Sequence, residues 1–361
     1  MIQLNQIVEK FPEVKTVATI EPLVSGLINK TYLVKTADAD ASDYILQCIN
    51  HNVFQNVDLL QHNIEKVTQH IRRKLEAANE TDIDRKVLRF LPTEADKTYY
   101  FDGEHYWRMC AFINDSKTLN AVTPESSYLV GLKFGEFESM LADMPEQLGE
   151  IIPDFHNLEF RLQQLEEAVA ANKAGRLNKV KELVANLQKD AHEMCLAERL
   201  HREGKLPKRI CHCDTKVSNL LFDKDNNVLC VIDLDTVMPN FIFSDYGDFL
   251  RSAANFVAED DPNFDQVGFN IEVFKTFTKG YLESAKSFLT PLEIEMLPFA
   301  VSLFPYMLCL RFLADYLNGD LFFSIQYPEH NYVRAMNQYL LYADTKKATP
   351  AMKEYIASLV D

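Results

Sequence analysis

One segment constrains this chain more than any other: His212-Cys213-Asp214-Thr215-Lys216-Val217-Ser218-Asn219, followed by Val231-Ile232-Asp233-Leu234-Asp235. It reads H-x-D-x-K-x-x-N, with an aspartate closing an apolar run 14 residues after the asparagine. Between the two parts, Asp223-Lys224-Asp225-Asn226-Asn227 is a turn signal, so the flanking apolar runs form a hairpin. Asn219 starts one strand and Asp233 ends the other, which puts both at the same end of the hairpin. Asp214 lies five residues before Asn219, close enough for one tight loop to present both side chains inward.

These residue types suit one chemistry. Phosphoryl transfer from ATP needs an acid that orients and deprotonates the acceptor hydroxyl, and oxygen ligands for Mg²⁺ at the phosphates. Asp214 fits the first role. Asn219 and Asp233 fit the second, because Mg²⁺ prefers hard oxygen donors and takes few side chains. Lys216 is placed to offset charge on the transferring group. Asp235 follows Asp233 by two residues and shares its face if the strand continues, as a ligand for a second Mg²⁺ or a partner for an acceptor hydroxyl. His212 has no nucleophilic Ser or Cys arrangement around it, so its expected role is within the loop. The H-x-D-x-x-x-x-N pattern alone is weak; the lysine, the hairpin and the terminal Ile-Asp make it specific.

The surroundings predict an α+β chain with two lobes. Residues 16–23, 31–35, 44–47, 99–101 and 106–113 alternate as strands, and residues 57–77 repeat apolar positions at helical spacing. Residues 125–142 and 160–203 read as helix, the second interrupted near Gly175, and helices return after Asp248. The expected division is an antiparallel-sheet lobe over residues 1–113, covering the nucleotide, and a mainly helical lobe over 114–361 with the catalytic loop and acceptor pocket. Residues 296–310 are the most apolar stretch. Pro298 and Pro305 break it and it is shorter than the roughly 20 residues of a spanning helix, so it reads as a buried helix pair.

Composition removes several other classes. A net charge of −16 over 361 residues and a pI near 5.1 argue against binding nucleic acid or an anionic membrane surface. The first residues carry neither a basic nor an apolar leader region, and the seven cysteines are odd in number and scattered, which suits reduced thiols in the cytoplasm. Cys211 and Cys213 flank His212, but no second CxxC or HxxxH completes a zinc set. Cys195-Leu196-Ala197-Glu198-Arg199 lacks the proline of a sulfatase nucleophile motif, and no G-x-x-x-x-G-K-[ST] is present.

The chain resembles small-molecule kinases of the aminoglycoside phosphotransferase superfamily, which share a two-lobed, protein-kinase-like fold. It is most similar to the N-acetylhexosamine 1-kinases. The resemblance spans nearly the whole length: residues 26–32, Tyr44-Ile45-Leu46-Gln47, Asp214-Thr215-Lys216, residues 232–239, Asp245-Tyr246-Gly247-Asp248, Arg311-Phe312-Leu313-Ala314-Asp315-Tyr316-Leu317 and Tyr327-Pro328-Glu329-His330-Asn331. It implies ATP and Mg²⁺ as cofactors and a small-molecule acceptor. Ser25, Gly26, Asn29 and Thr31 would form the loop over the phosphates, although a single glycine matches G-x-G-x-x-G poorly. Gln47 stands where kinases at large carry a third-strand lysine, with Glu65 or Lys66 on the following helix. Backbone groups near Cys110 to Phe112 would meet adenine.

For the acceptor, the resemblance implies Arg311, Asp315 and Tyr316, with Asp214; His156 and Arg161 echo a nearby family loop. An ordinary i,i+4 ion pair between Arg311 and Asp315 is the plainer reading of that spacing. Asp245 and Asp248 would brace the catalytic loop. The departures concern the acceptor: Leu27 replaces a histidine and Ser252 an aromatic, while Cys213 replaces a glycine or asparagine and Asn240 a glycine. The expected reaction is transfer to a sugar hydroxyl, the anomeric one of an N-acetylhexosamine or a related sugar. Choline, an amino alcohol or an aminoglycoside remains an alternative acceptor, and Gln47 with the single-glycine loop leaves open a catalytically silent nucleotide-binding module.

Overall fold

The computed structural model describes residues 4–23, 28–38, 41–119 and 121–360. The chain forms two compact units, residues 1–119 with 143–153 and 218–238, and residues 120–142 with 154–217 and 239–361.

The first unit is built on a five-stranded antiparallel sheet in the order β1-β2-β3-β5-β4. Its strands are β1 (Val17–Leu23), β2 (Lys30–Thr36), β3 (Tyr44–Ile49), β4 (Tyr100–Phe101) and β5 (Tyr106–Ala111). Strand alternation sends Val34, Tyr44, Leu46, Cys48, Trp107 and Met109 to one face, where they are buried with Ile7 and Val8 of the short helix α1 (Leu4–Val8) and with Phe11. The opposite face therefore carries Gln47 and Arg108, which pair directly across β3 and β5. The helix expected over residues 57–77 is α2 (Val57–Ala77). Asn56 caps it by accepting the Leu59 N–H at 3.0 Å, and Leu60, Ile64, Val67 and Ile71 form its buried stripe.

Within the same unit, Leu220–Phe222 and Val228–Val231 form the expected hairpin. Its second strand stops at Val231. Asp233 then adopts a left-handed conformation (φ 59°, ψ 56°) and residues 234–236 make a 3₁₀ turn, so the strand that was to carry Asp235 beside Asp233 does not exist. An aspartate tolerates that conformation better than most side chains, which lets the chain turn there.

The second unit is mostly helical. Helix α3 (Pro124–Leu141) starts with a capping box between Thr123 and Ser126 and packs on the helix Ile271–Ala285. Three glycines allow that approach: a Cβ on Gly131 would lie 2.2 Å from the Phe277 carbonyl oxygen, one on Gly280 2.1 Å from that of Tyr128, and one on Gly135 2.7 Å from that of Tyr281. The charged stretch expected as one interrupted helix is three, Leu158–Ala171, Leu177–Met194 and Leu196–Arg202.

The apolar stretch is one helix, Leu297–Asn318, and not the expected pair. Pro298 falls in its first turn, where no intrahelical donor is needed, and Pro305 is carried inside because buried neighbours on all sides hold the segment. By length and composition this helix is apolar enough to cross a membrane, but 89% of its most apolar window is buried inside the fold. It is a core helix.

Candidate active site

The boundary between the units falls at Val217 and Ser218, within the H-x-D-x-K-x-x-N segment. In the second unit, the strand Arg209–Cys211 leads into the loop, and Cys213 takes a left-handed conformation (φ 63°) that turns the chain. Asp245, at the start of the helix Phe243–Ala253, accepts the backbone N–H groups of His212 and Cys213, both at 2.7 Å. Its own backbone oxygen accepts Thr215 Oγ1 at 2.7 Å. Three bonds from one buried residue thus fix the loop that presents Asp214. His212 Nδ1 accepts the Asp214 N–H at 3.3 Å, and its ring meets Phe134 and Phe137 edge-on, consistent with a role inside the loop.

Asp214 and Lys216 are brought together: Lys216 Nζ lies 2.6 Å from Asp214 Oδ1, with the carboxylate side chain 26% exposed. Burial works against the lysine's charge, but Asp214 outweighs it and holds the ammonium above its ordinary value. Asp248, expected to brace the loop, pairs instead with Arg251, whose Nε donates to it at 3.1 Å. Behind the loop Glu138, Cys211 and Asp245 bring ligand-type atoms within 4.8 Å of one another. Burial pushes all three upward in pKa, the glutamate and the thiol strongly, and Tyr281 donates to Glu138, so burial works against the anionic forms that metal ligation requires.

In the first unit, Asn219 and Ile232 face each other at the end of the hairpin, the Ile232 N–H donating to Asn219 O at 2.9 Å. Asn219 closes the 3₁₀ turn Val217–Asn219 just before the first strand, and Asp233 lies two residues past the end of the second, so neither is in a strand and both flank this end of the hairpin. Asp235 is differently engaged. It is 2% exposed, its Oδ1 lies 2.5 Å from Arg108 Nη1, and its Oδ2 accepts Asn29 Nδ2 at 2.6 Å. This ion pair takes Asp235 out of the metal set in the reading developed below.

Of the expected nucleotide residues, Ser25, Gly26 and Leu27 lie outside the described residues. Asn29 also accepts the Asn50 N–H at 2.9 Å, and Thr31 Oγ1 accepts Gln47 Nε2 at 3.3 Å. Near the expected adenine edge, the N–H groups of Ala111 and Phe112 donate to Arg89 and Asp43 carbonyls, so both donors are already used. Cys110 is buried and its thiol is pushed up to about 11 by burial.

The expected acceptor group is only partly assembled. Asp315 does not meet Arg311. The chain folds back after Gly319, and the Asp315 carboxylate accepts the N–H groups of Leu321, Phe322 and Phe323 at 2.8–2.9 Å and Asn331 Nδ2 at 3.0 Å. Tyr316 points elsewhere too, donating to Glu329 at 3.1 Å beneath the Arg176 guanidinium. Ser252 bonds the carbonyls of Asp248 and Phe249 on its own helix. What surrounds Arg311 is aromatic: the rings of Phe155, Phe322 and Phe323 lie 5.5–6.0 Å from its guanidinium carbon. Among the described residues it forms no ion pair. Burial, with Arg161 and Arg251 nearby, pulls its pKa down to about 9, still charged at neutral pH.

Two functional elements escape a reading of spacing alone. Arg108 stands in a strand that otherwise reads as plain core; a lone arginine in such a run signals a buried partner. The Phe322 and Phe323 walls depend on a loop whose anchor, Asp315, is recognisable only in three dimensions.

A sequence profile of the phosphotransferase enzyme family matches residues 19–272. Among solved structures, the chain is similar to an aminoglycoside phosphotransferase from Alicyclobacillus acidocaldarius, with TM-score 0.63 and 13% identity over 99% of this chain and 97% of that one. A spectinomycin phosphotransferase solved with ADP and spectinomycin gives TM-score 0.57 and 12% identity over 97% and 99%. A choline kinase from Cryptosporidium parvum gives 0.57 and 15% over 99% of both chains. Identities this low speak for a shared kinase-like fold, while the profile covers well over half of the chain. This chain belongs to the phosphotransferase enzyme family and is a small-molecule kinase.

Proposed function

We propose that the enzyme transfers the γ-phosphoryl group of ATP, with Mg²⁺, to a sugar hydroxyl, the anomeric hydroxyl of an N-acetylhexosamine or a related sugar, giving a sugar 1-phosphate and ADP. The observation that carries the phosphotransfer part is the Asp214–Lys216 pair on a loop fixed by Asp245. An acid held this firmly orients the acceptor hydroxyl and takes its proton, and positioning of this kind is most of what phosphoryl transfer asks of a protein. Lys216 offsets charge on the transferring group. Asn219 and Asp233 would hold Mg²⁺, which neutralises phosphate charge when bound. Asn29, Thr31 and Gln47 would line the nucleotide side with Ser25 and Gly26.

The sugar rests on the Asp-Leu-Asp-Thr and Arg-Phe-Leu-Ala-Asp-Tyr-Leu blocks and on Arg311. A guanidinium between phenylalanine rings offers hydrogen bonds to hydroxyls and an apolar wall to a ring face, which suits a sugar. The same charge, with Arg161 and Arg251 close by, disfavours a cationic acceptor such as choline. Asp214, Asn219 and Asp233 are all present, which counts against a silent module. Seven buried cysteines, none in a disulfide, support a reducing compartment, the cytoplasm.

The test is ADP release with ATP and Mg²⁺ across hexoses, N-acetylhexosamines, choline and aminoglycosides, with phosphorus NMR on the product. Turnover with a sugar and an anomeric phosphate signal is the expected result. Turnover with choline or an aminoglycoside alone would replace the acceptor, and nucleotide binding without any turnover would favour the silent module.

A further inference from the structure

In kinase-like sites a lysine on the third strand holds the nucleotide phosphates and is itself fixed by an acid on the neighbouring helix. Here β3 offers Gln47 instead of a lysine, and Glu65 of α2 accepts Gln69 Nε2 at 2.9 Å on the exposed side of its own helix. The buried Asn63 of α2 donates to the carbonyls of Gly149 and Val237, both at 2.9 Å. Among the described residues of the sheet, the buried cation is Arg108 on β5, 2% exposed and directly opposite Gln47.

Its guanidinium is held from three sides. Nε donates to Gln47 Oε1 at 2.9 Å, Nη1 meets Asp235 at 2.5 Å, and the Phe90 ring lies 5.4 Å from the central carbon. Gln47 passes the restraint on to Thr31, and Asp235 passes it on to Asn29 and from there to Asn50. Burying two opposite charges costs several kcal/mol per ion, and an apolar pair in their place is often neutral or stabilising. A buried ion pair is therefore weak evidence of a stabilising role, and that directs attention to what this one positions.

Asp235 is the middle residue of the 234–236 turn, and Asp233 immediately precedes that turn in a left-handed conformation. Asn63 holds the far side of the turn at the Val237 carbonyl. Resting on the phosphotransferase reading above, we propose that Arg108 is a positioning residue that clamps the Asp233–Thr236 turn through Asp235 and so sets Asp233 for the Mg²⁺-nucleotide. The fixed cation of this face thus comes from β5, with Gln47 on β3 as its support.

The decisive comparison is wild type against the double variant R108M/D235L, with R108K as a second, charge-retaining probe. Thermal melting and calorimetric binding of AMP-PNP are measured with and without Mg²⁺. The double variant should melt within a few degrees of wild type, yet need about tenfold more Mg²⁺ for nucleotide binding, the scale on which groups supporting a metal ligand act. Nucleotide binding without Mg²⁺ should change far less. R108K keeps the charge but lacks the fork that reaches both Gln47 and Asp235, so its Mg²⁺ requirement should also rise. A folded double variant with the wild-type Mg²⁺ requirement overturns the proposal. If the double variant does not fold, an unchanged requirement in R108K does the same. Wild type that binds no nucleotide removes the phosphotransferase reading itself, whereas wild-type binding with unaffected variants removes only the role of Arg108.

Discussion

At the scale of single residues, Asp214 carries the sharpest expectation. Asp214→Asn keeps the size of the side chain and the loop held by Asp245, but it removes the proton acceptor. Turnover should fall by about 10²–10⁴-fold, the usual contribution of a general base, while AMP-PNP binding stays near wild type. ADP release and calorimetry on one preparation check both halves. Arg311 is proposed for the other substrate. Arg311→Met should raise the acceptor KM by about tenfold, or ~1.4 kcal/mol, and leave the KM for ATP unchanged. A rise confined to ATP would remove Arg311 from the acceptor pocket. Asp214 is legible in the sequence because short-range spacing places it, whereas Arg311 enters through the resemblance and its spacing suggests only a pair with Asp315. Arg108 is not legible, because what it does depends on Asp235 far along the chain, and neither is Asp315, whose partners are the backbone N–H groups of a return loop that no residue pattern announces.

Among elements, most strands and helices could be read from alternation and periodicity: β3 alternates buried and part-buried positions, and α2 buries one stripe. The exceptions have identifiable physical causes. The helix Leu297–Asn318 is apolar on all sides, so it has no stripe to mark its length, and Pro305 suggests a break that burial overrides. The hairpin strand ends early because Asp233 turns left-handed, which no apolar pattern announces. Glycine-mediated packing is also silent in the sequence. The contact of α3 with Ile271–Ala285 leaves no room for a Cβ at Gly280, where the obstruction is backbone. Gly280→Ala should therefore lose about 1–3 kcal/mol by overpacking, although alanine is the better helix former by about 1 kcal/mol. The denaturation midpoint in urea measures it, and a stabilised variant would mean that the two helices separate at little cost.

For the whole molecule, pH acts on stability through a buried histidine near Arg311. His156 is 9% exposed, stacks on Phe155 at 4.3 Å, and bonds Ser244 Oγ through Nδ1 at 3.0 Å. Burial lowers its pKa well below the ordinary value, and Arg311, Arg161 and Arg251 lower it further. The folded protein therefore keeps the ring neutral where the unfolded chain, with a pKa near ~6.5, takes up a proton. Below that value the unfolded state binds more protons, so acidification favours unfolding by up to about 1.4 kcal/mol per pH unit. The loss continues until the pH falls past the folded pKa. Glu138, Asp245 and Asp248 act in the opposite sense. Burial raises their carboxyl pKa values, so they favour the fold at low pH and lose that advantage as the pH rises. Relief of repulsion in a chain of net charge −16 also favours the acid side. The total profile mixes these contributions, but the difference between wild type and His156→Gln isolates one. Glutamine retains a hydrogen-bonding group near Ser244 and does not titrate, so the gap in urea midpoints between the two proteins should narrow from pH 7.5 to pH 5.5. A gap that stays constant over that window would mean that His156 takes up its proton equally well in the folded and unfolded chain, and that the three arginines exert no field on it.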